Sequence, residues 1–78
     1  MEITKAVVDI GLVAYLIAID IKPIRTDRKS RNFSWEFDRT ERLDEEIFKY
    51  YEHQALADPL AVVENFRNLT AQVREMRR

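Results

Sequence analysis

The chain has 78 residues, enough for one domain, and its 46% hydrophobic and 35% charged residues are the mixture of a folded globule. It has no cysteine, which excludes a disulfide framework and a thiolate metal site, and a single glycine, which excludes a glycine-rich phosphate loop. With 13 Lys and Arg against 14 Asp and Glu the net charge is −1, without the basic excess of a committed nucleic-acid binder.

Taken in chain order, Thr4 is the predicted N-cap of a helix beginning near Lys5, with Val7, Val8, Ile10, Leu12, Val13, Tyr15, Leu16, Ile17 and Ile19 around most of its circumference. Such a helix belongs at the centre of the fold. Gly11 inside it is read as permitting close approach by another element, not as a helix end. The apolar stretch from Ile10 to Ile19 would extend only about 15 Å as a helix against about 30 Å of hydrocarbon, so no membrane span is expected. Met1, Glu2, Lys5 and Asp9 supply no basic leader region, which makes a cytoplasmic location the expectation.

Pro23 ends the helical pattern, and residues Ile21 to Thr26 and Asn32 to Phe37 read as two strands of an antiparallel hairpin joined by a polar loop of four to five residues. Pro23 places the first strand at an edge, or starts it after the proline. Asp38 or Thr40 then caps a helix running through Leu43, Ile47, Tyr50 and Tyr51, with Glu41 in the favourable first turn. Asp58 and Pro59 are a cap and a first helical residue, and Leu60, Val63, Phe66, Leu69, Val73 and Met76 continue at helical spacing. The predicted fold is a single α+β domain over residues 1–78 in the order α-β-β-α-α, a two-stranded hairpin packed on helices and open to extension by dimerisation.

The stretch Phe33, Trp35, Phe37 poses the sharpest functional choice. In nucleic-acid-binding sheets such as the RNA recognition motif, stacking rings stand on one face while other apolar residues hold the sheet to its helices. Here the alternating residues Asn32, Ser34 and Glu36 are polar, so the strand has one face able to pack, and the rings are assigned to the core. Charge is uneven around them. Residues 22–31 carry Lys22, Arg25, Arg28, Lys29 and Arg31 against Asp27, whereas 38–52 carry six acids against three bases. These five basic residues are the candidate binding surface, able to meet phosphates or an acidic partner. Arg74, Arg77 and Arg78 could extend the patch, although the dipole of the last helix explains them equally.

No catalytic, cofactor or metal site is predicted. His53 is the only histidine, and three and four residues to either side stand Lys49, Tyr50, Leu56 and Ala57, none a carboxylate. Asp44, Glu45 and Glu46 have no other ligand at helical spacing, and Asn68-Leu69-Thr70 is a chance glycosylation match inside a helix. Tyr50 and Tyr51 are adjacent and cannot face one way, and the apolar first helix and edge strand add to the apolar surface, which favours a homodimer.

The stretches "LVAYLIAIDIKPI" at 12–24, "FSWEFD" at 33–38 and "IFKYYEHQALADPLAVVENFRNL" at 47–69, with their order, resemble a group of small bacterial, archaeal and phage proteins classed only as a domain of unknown function. The resemblance spans nearly the whole chain. Tyr15 and Leu16, Phe33 to Phe37, Tyr50 and Tyr51, Ala57 to Pro59 and Arg67 to Leu69 match its pattern, and Asp20 stands where the family tends to have glycine. The resemblance implies a compact α+β fold and a mobile-element context, and carries over no catalytic residue. The expectation is a non-enzymatic interaction protein, self-associating or binding a protein partner at the hairpin tip and the first strand's edge. Nucleic-acid binding through Lys22, Arg25, Arg28, Lys29 and Arg31 is the alternative.

Overall fold

The structure, a computed structural model, describes residues 3–29 and 32–76. Its elements are β1 (Thr4–Val7), α1 (Ile10–Ala18), β2 (Arg25–Lys29), β3 (Asn32–Asp38), α2 (Glu41–Tyr51) and α3 (Pro59–Met76). The class is α+β, as expected, but the order is β-α-β-β-α-α and the sheet has three antiparallel strands, β1-β3-β2.

The additional strand corrects the reading of the N-terminus. Thr4 does not cap a helix: it opens β1, which pairs with β3 from Thr4 opposite Asp38 to Val7 opposite Trp35. Asp9 caps α1 instead, its Oδ1 accepting from the N–H groups of Gly11 and Leu12 at 3.0 and 3.3 Å. The hairpin ladder is also longer than expected. Asp27, Arg28 and Lys29 lie in β2, and Lys29 pairs with Asn32, so the predicted four- to five-residue loop is shorter. Pro23 precedes the strand.

Directly opposed residues share a face of the sheet. Phe33, Trp35, Phe37 and Val7 all lie on the face covered by helices, and all are buried. Trp35 is 1% exposed and Phe37 0%, which assigns both rings to the core. The Trp35 Nε1 hydrogen has no acceptor among the described residues. That orphan donor costs about 1–3 kcal/mol, less than the roughly 5 kcal/mol from burying about 200 Å² of ring. The other face carries Ser34, Glu36, Asp38, Arg25 and Asp27, with Ala6 its apolar exception. A sheet solvated on one side and packed on the other explains a slab of 36 × 36 × 19 Å.

Five consecutive α1 residues, Leu12 to Leu16, are buried, so α1 is the centre of the helical layer. Leu43 of α2 and Leu69 and Val73 of α3 complete the core. Gly11 has the role its sequence position suggested: a Cβ there would stand 2.7 Å from the Tyr50 hydroxyl.

Helix ends are satisfied in three ways. Thr40 Oγ1 accepts from the Leu43 N–H at 3.1 Å, and Asp58 Oδ1 from the Leu60 N–H at 3.0 Å. At the C-terminus of α1 the Ile21 and Asp20 N–H groups bond the Leu16 and Ile17 carbonyls at 2.9 and 3.0 Å, with Asp20 at φ 70°. At the end of α2 the Gln54 and His53 N–H groups repeat that pattern on Lys49 and Tyr50, with His53 at φ 60°. Arginines complete the set: Arg42 Nη2 donates to the Ile19 carbonyl at 2.9 Å, and Arg28 Nη1 to the Met76 carbonyl at the end of α3. No helix among the described residues is long and apolar enough to cross a membrane.

Candidate interaction surface

The basic residues of the hairpin do not share one face. Arg25 and Arg28 are three apart on a strand, so they project to opposite sides of the sheet. Arg25 lies on the solvated side, where its Nε pairs with Glu36 of β3 and stands 3.7 Å from Asp27. Arg28 lies on the helical side, its guanidinium 5.5 Å from the centroid of Phe33 while it bonds the Met76 carbonyl. Lys22 is exposed in the segment between α1 and β2. Lys29 closes the described ladder of β2 opposite Asn32, and Arg31, Arg77 and Arg78 lie outside the described residues.

Apolar exposure concentrates elsewhere, in two patches. One borders the free edge of β1 and the adjoining flank of α2: Ile3, Val8 and Tyr51 are each 57–68% exposed, whereas Phe48, 63% exposed, stands apart on the outer face of α2 with Asp44, Glu45, Lys49 and Gln54. Beside the β1 edge a groove of about 240 Å³ is lined by Ala6, Val7, Val8, Leu12, Ile47 and Tyr51 together with the charged Lys5 and Asp9. The other runs along Leu60, Val63 and Phe66 on α3, while Leu56, 88% exposed, stands beside Tyr15, Glu46, Lys49 and Gln54. The α3 spacing was legible, but its inward residues are Val62, Leu69, Val73 and Met76, so Leu60, Val63 and Phe66 form a second apolar flank beside the buried one. Sequence reasoning missed Phe48 because it is out of phase with Leu43, Ile47 and Tyr50, and missed the β1 edge because four residues are too short to display an alternation.

The ionisable groups nearest the core are engaged in packing. The Tyr15 hydroxyl donates to Glu46 Oε2, and Lys49 Nζ stands 3.3 Å from the other Glu46 oxygen. Burial, reinforced by the Glu46 charge, pushes the Tyr15 pKa up to about 12. The bond from Tyr15 holds the Glu46 carboxyl below its ordinary value. The proton therefore stays on the tyrosine, which makes it a fixed donor and a poor base or nucleophile. Tyr50 stacks at a tilt on Tyr15 with centroids 5.7 Å apart, and Tyr51 meets Tyr50 edge-on at 5.4 Å. Tyr51 donates to Asp9 Oδ2 at 3.5 Å, and burial raises the pKa of both Tyr50 and Tyr51. This cluster fixes α2 against the start of α1. His53 is exposed at the end of α2, away from any carboxylate cluster, and among the described residues no three His, Asp or Glu side chains converge as metal ligands.

Comparison of the chain with known protein families, with curated proteins and with solved structures gave no match.

Proposed function

We propose that this chain is a small, non-enzymatic interaction protein that works in the cytoplasm by self-association and presents a joined surface to a protein partner. The observation that supports this reading is apolar exposure: nine large hydrophobic side chains are exposed among the described residues, beside a core of twelve. Ile3, Val8 and Tyr51 border the β1 edge and Leu60, Val63 and Phe66 share a flank of α3, whereas isolated exposed hydrophobics are ordinary on a monomer. Covering them on association gains about 25 cal/mol for each Å² of apolar surface removed from water.

Binding of nucleic acid through Lys22, Arg25, Arg28, Lys29 and Arg31 draws less support, because a phosphate would compete with Glu36 for Arg25 and with the Met76 carbonyl for Arg28. Sedimentation velocity from about 5 to about 500 μM, with and without short duplex DNA at about 50 mM salt, tests both readings. The expected species is twice the 9.3 kDa chain, formed at the higher concentrations and indifferent to DNA. A monomer throughout the range overturns self-association, and a DNA complex that dissolves at about 200 mM salt puts the hairpin in its place.

A further inference from the structure

We propose that two copies join through β1, antiparallel about a two-fold axis at Ala6, to make one six-stranded sheet. The proposal rests on the self-association reading and names its interface. β1 is the outer strand of the sheet. The Arg39 N–H bonds the Ile3 carbonyl at 3.1 Å, which fixes the alternation of the ladder: Ile3, Lys5 and Val7 bond β3, and the N–H and C=O groups of Thr4 and Ala6 point away from it. Val8 continues the outward series.

This edge is complementary to itself. About a dyad at Ala6, Thr4 meets Val8 of the second copy, Ala6 meets Ala6, and every outward group meets an outward group, two hydrogen bonds to each pair. The residue on the axis is small and exposed, so no side chain obstructs the approach. Lys5 is the only charged residue of β1. It falls opposite Val7 of the second copy, with that copy's Asp9 on one diagonal and its Lys5 on the other, so the unlike contact offsets the like one and charge does not oppose the pairing. The β2 edge has the opposite character: four of its five residues are charged, Arg25, Asp27, Arg28 and Lys29, which is how natural sheets keep an edge from pairing.

An axis perpendicular to the sheet puts both helical layers on one side, and each α2 then approaches the other over the joined β1 strands. Val8 and Tyr51 gain cover, and the groove beside β1 is closed by the second copy's strand. Each side chain adds about 100 Å², which with the strand backbone stays below the roughly 600 Å² per partner at the low end of specific interfaces, so an affinity no tighter than micromolar is expected.

The test measures the dimer dissociation constant of the wild type, Ala6→Lys and Val63→Lys. Ala6→Lys puts like charges across the axis while facing Glu36 within its own chain, and should weaken the dimer about 100-fold with the monomer's thermal melt unchanged. Val63→Lys, on the α3 flank, should leave it intact. Because the chain lacks cysteine, Ala6→Cys supplies a second readout: oxidation should yield a disulfide-linked dimer, the opposed Cα atoms being about 5.5 Å apart. A wild-type dimer that survives Ala6→Lys, fails to cross-link through Ala6→Cys or dissolves with Val63→Lys overturns the β1 interface and leaves self-association standing. A wild type that stays monomeric overturns both.

Discussion

The two outer strands of this sheet are built from opposite materials. β1 is four residues with one charge, and its outward backbone groups are bordered by exposed Ile3, Val8 and Tyr51. β2 is five residues with four charges, and its arginines are turned inward on the molecule: Arg25 crosses to Glu36 of β3, and Arg28 covers the Phe33 ring and reaches the end of α3. The charge of β2 thus does two intramolecular jobs, carried by Arg25 and Arg28. It solvates one sheet edge against pairing and ties the C-terminal helix to the sheet. The edge that charge leaves unguarded is the one the sequence marks least.

The hardest way to break this comparison is to remove the strand both edges share. Phe37 is wholly buried and opposes Lys5 of β1, one strand over from β2. Phe37→Ala should cost about 3–5 kcal/mol, a large share of the roughly 5–15 kcal/mol of a typical domain. The thermal midpoint should fall by about 15 °C or more, with amide protection lost from β1 and β2 together. Protection retained on one edge alone would mean that the strands do not fold as one unit.

A smaller change sharpens the contrast between the two arginines. Arg28→Ala removes a cation from the ring of Phe33 and from the end of α3, and should cost about 1 kcal/mol. Amide exchange should accelerate in the last turns of α3, near Val73, while association through β1 is untouched. Arg25→Ala, on the solvated face, breaks an exposed ion pair and should cost less than about 0.5 kcal/mol by denaturant melt. Equal losses would contradict the placement of Arg28 as the tie between sheet and helix.

What could be read from the residues was whatever depends on near neighbours. Thr40 and Asp58 announced α2 and α3 because a cap is settled within three residues, and Phe33, Trp35 and Phe37 announced a one-faced strand because alternation shows over seven residues. Thr4 to Val7 did not announce β1, because Val7, Val8, Ile10 and Leu12 also fit a helix and the deciding interaction is pairing with β3, about thirty residues away. The candidate surface shifted for the same reason. With Asp27 to Lys29 read as loop, Arg25 and Arg28 could share a patch; with the ladder carried to Asn32 they are on opposite faces. On α3 the periodicity was right, but period alone does not say which of two adjacent apolar flanks packs.

A small effect of the opposite sign lies where the chain leaves α1 for β2. Asp20 holds φ 70° in the position that follows the helix cap, where glycine adopts the left-handed conformation without a Cβ clash. Its N–H and that of Ile21 close the helix on Ile17 and Leu16, and Ile21 packs against the core, so the turn is held by tertiary contacts that offset the strain. Asp20→Gly relieves the strain and loosens the unfolded chain, two effects of opposite sign and similar size, with the relief the larger for a non-glycine residue at positive φ. The net should be a gain of about 0.5 kcal/mol, a rise of about 2–4 °C in the thermal midpoint. The turn feeds only β2, so the dimer constant of β1 should not move. A loss of stability would mean that the Asp20 side chain contributes more to that turn than its backbone strain costs.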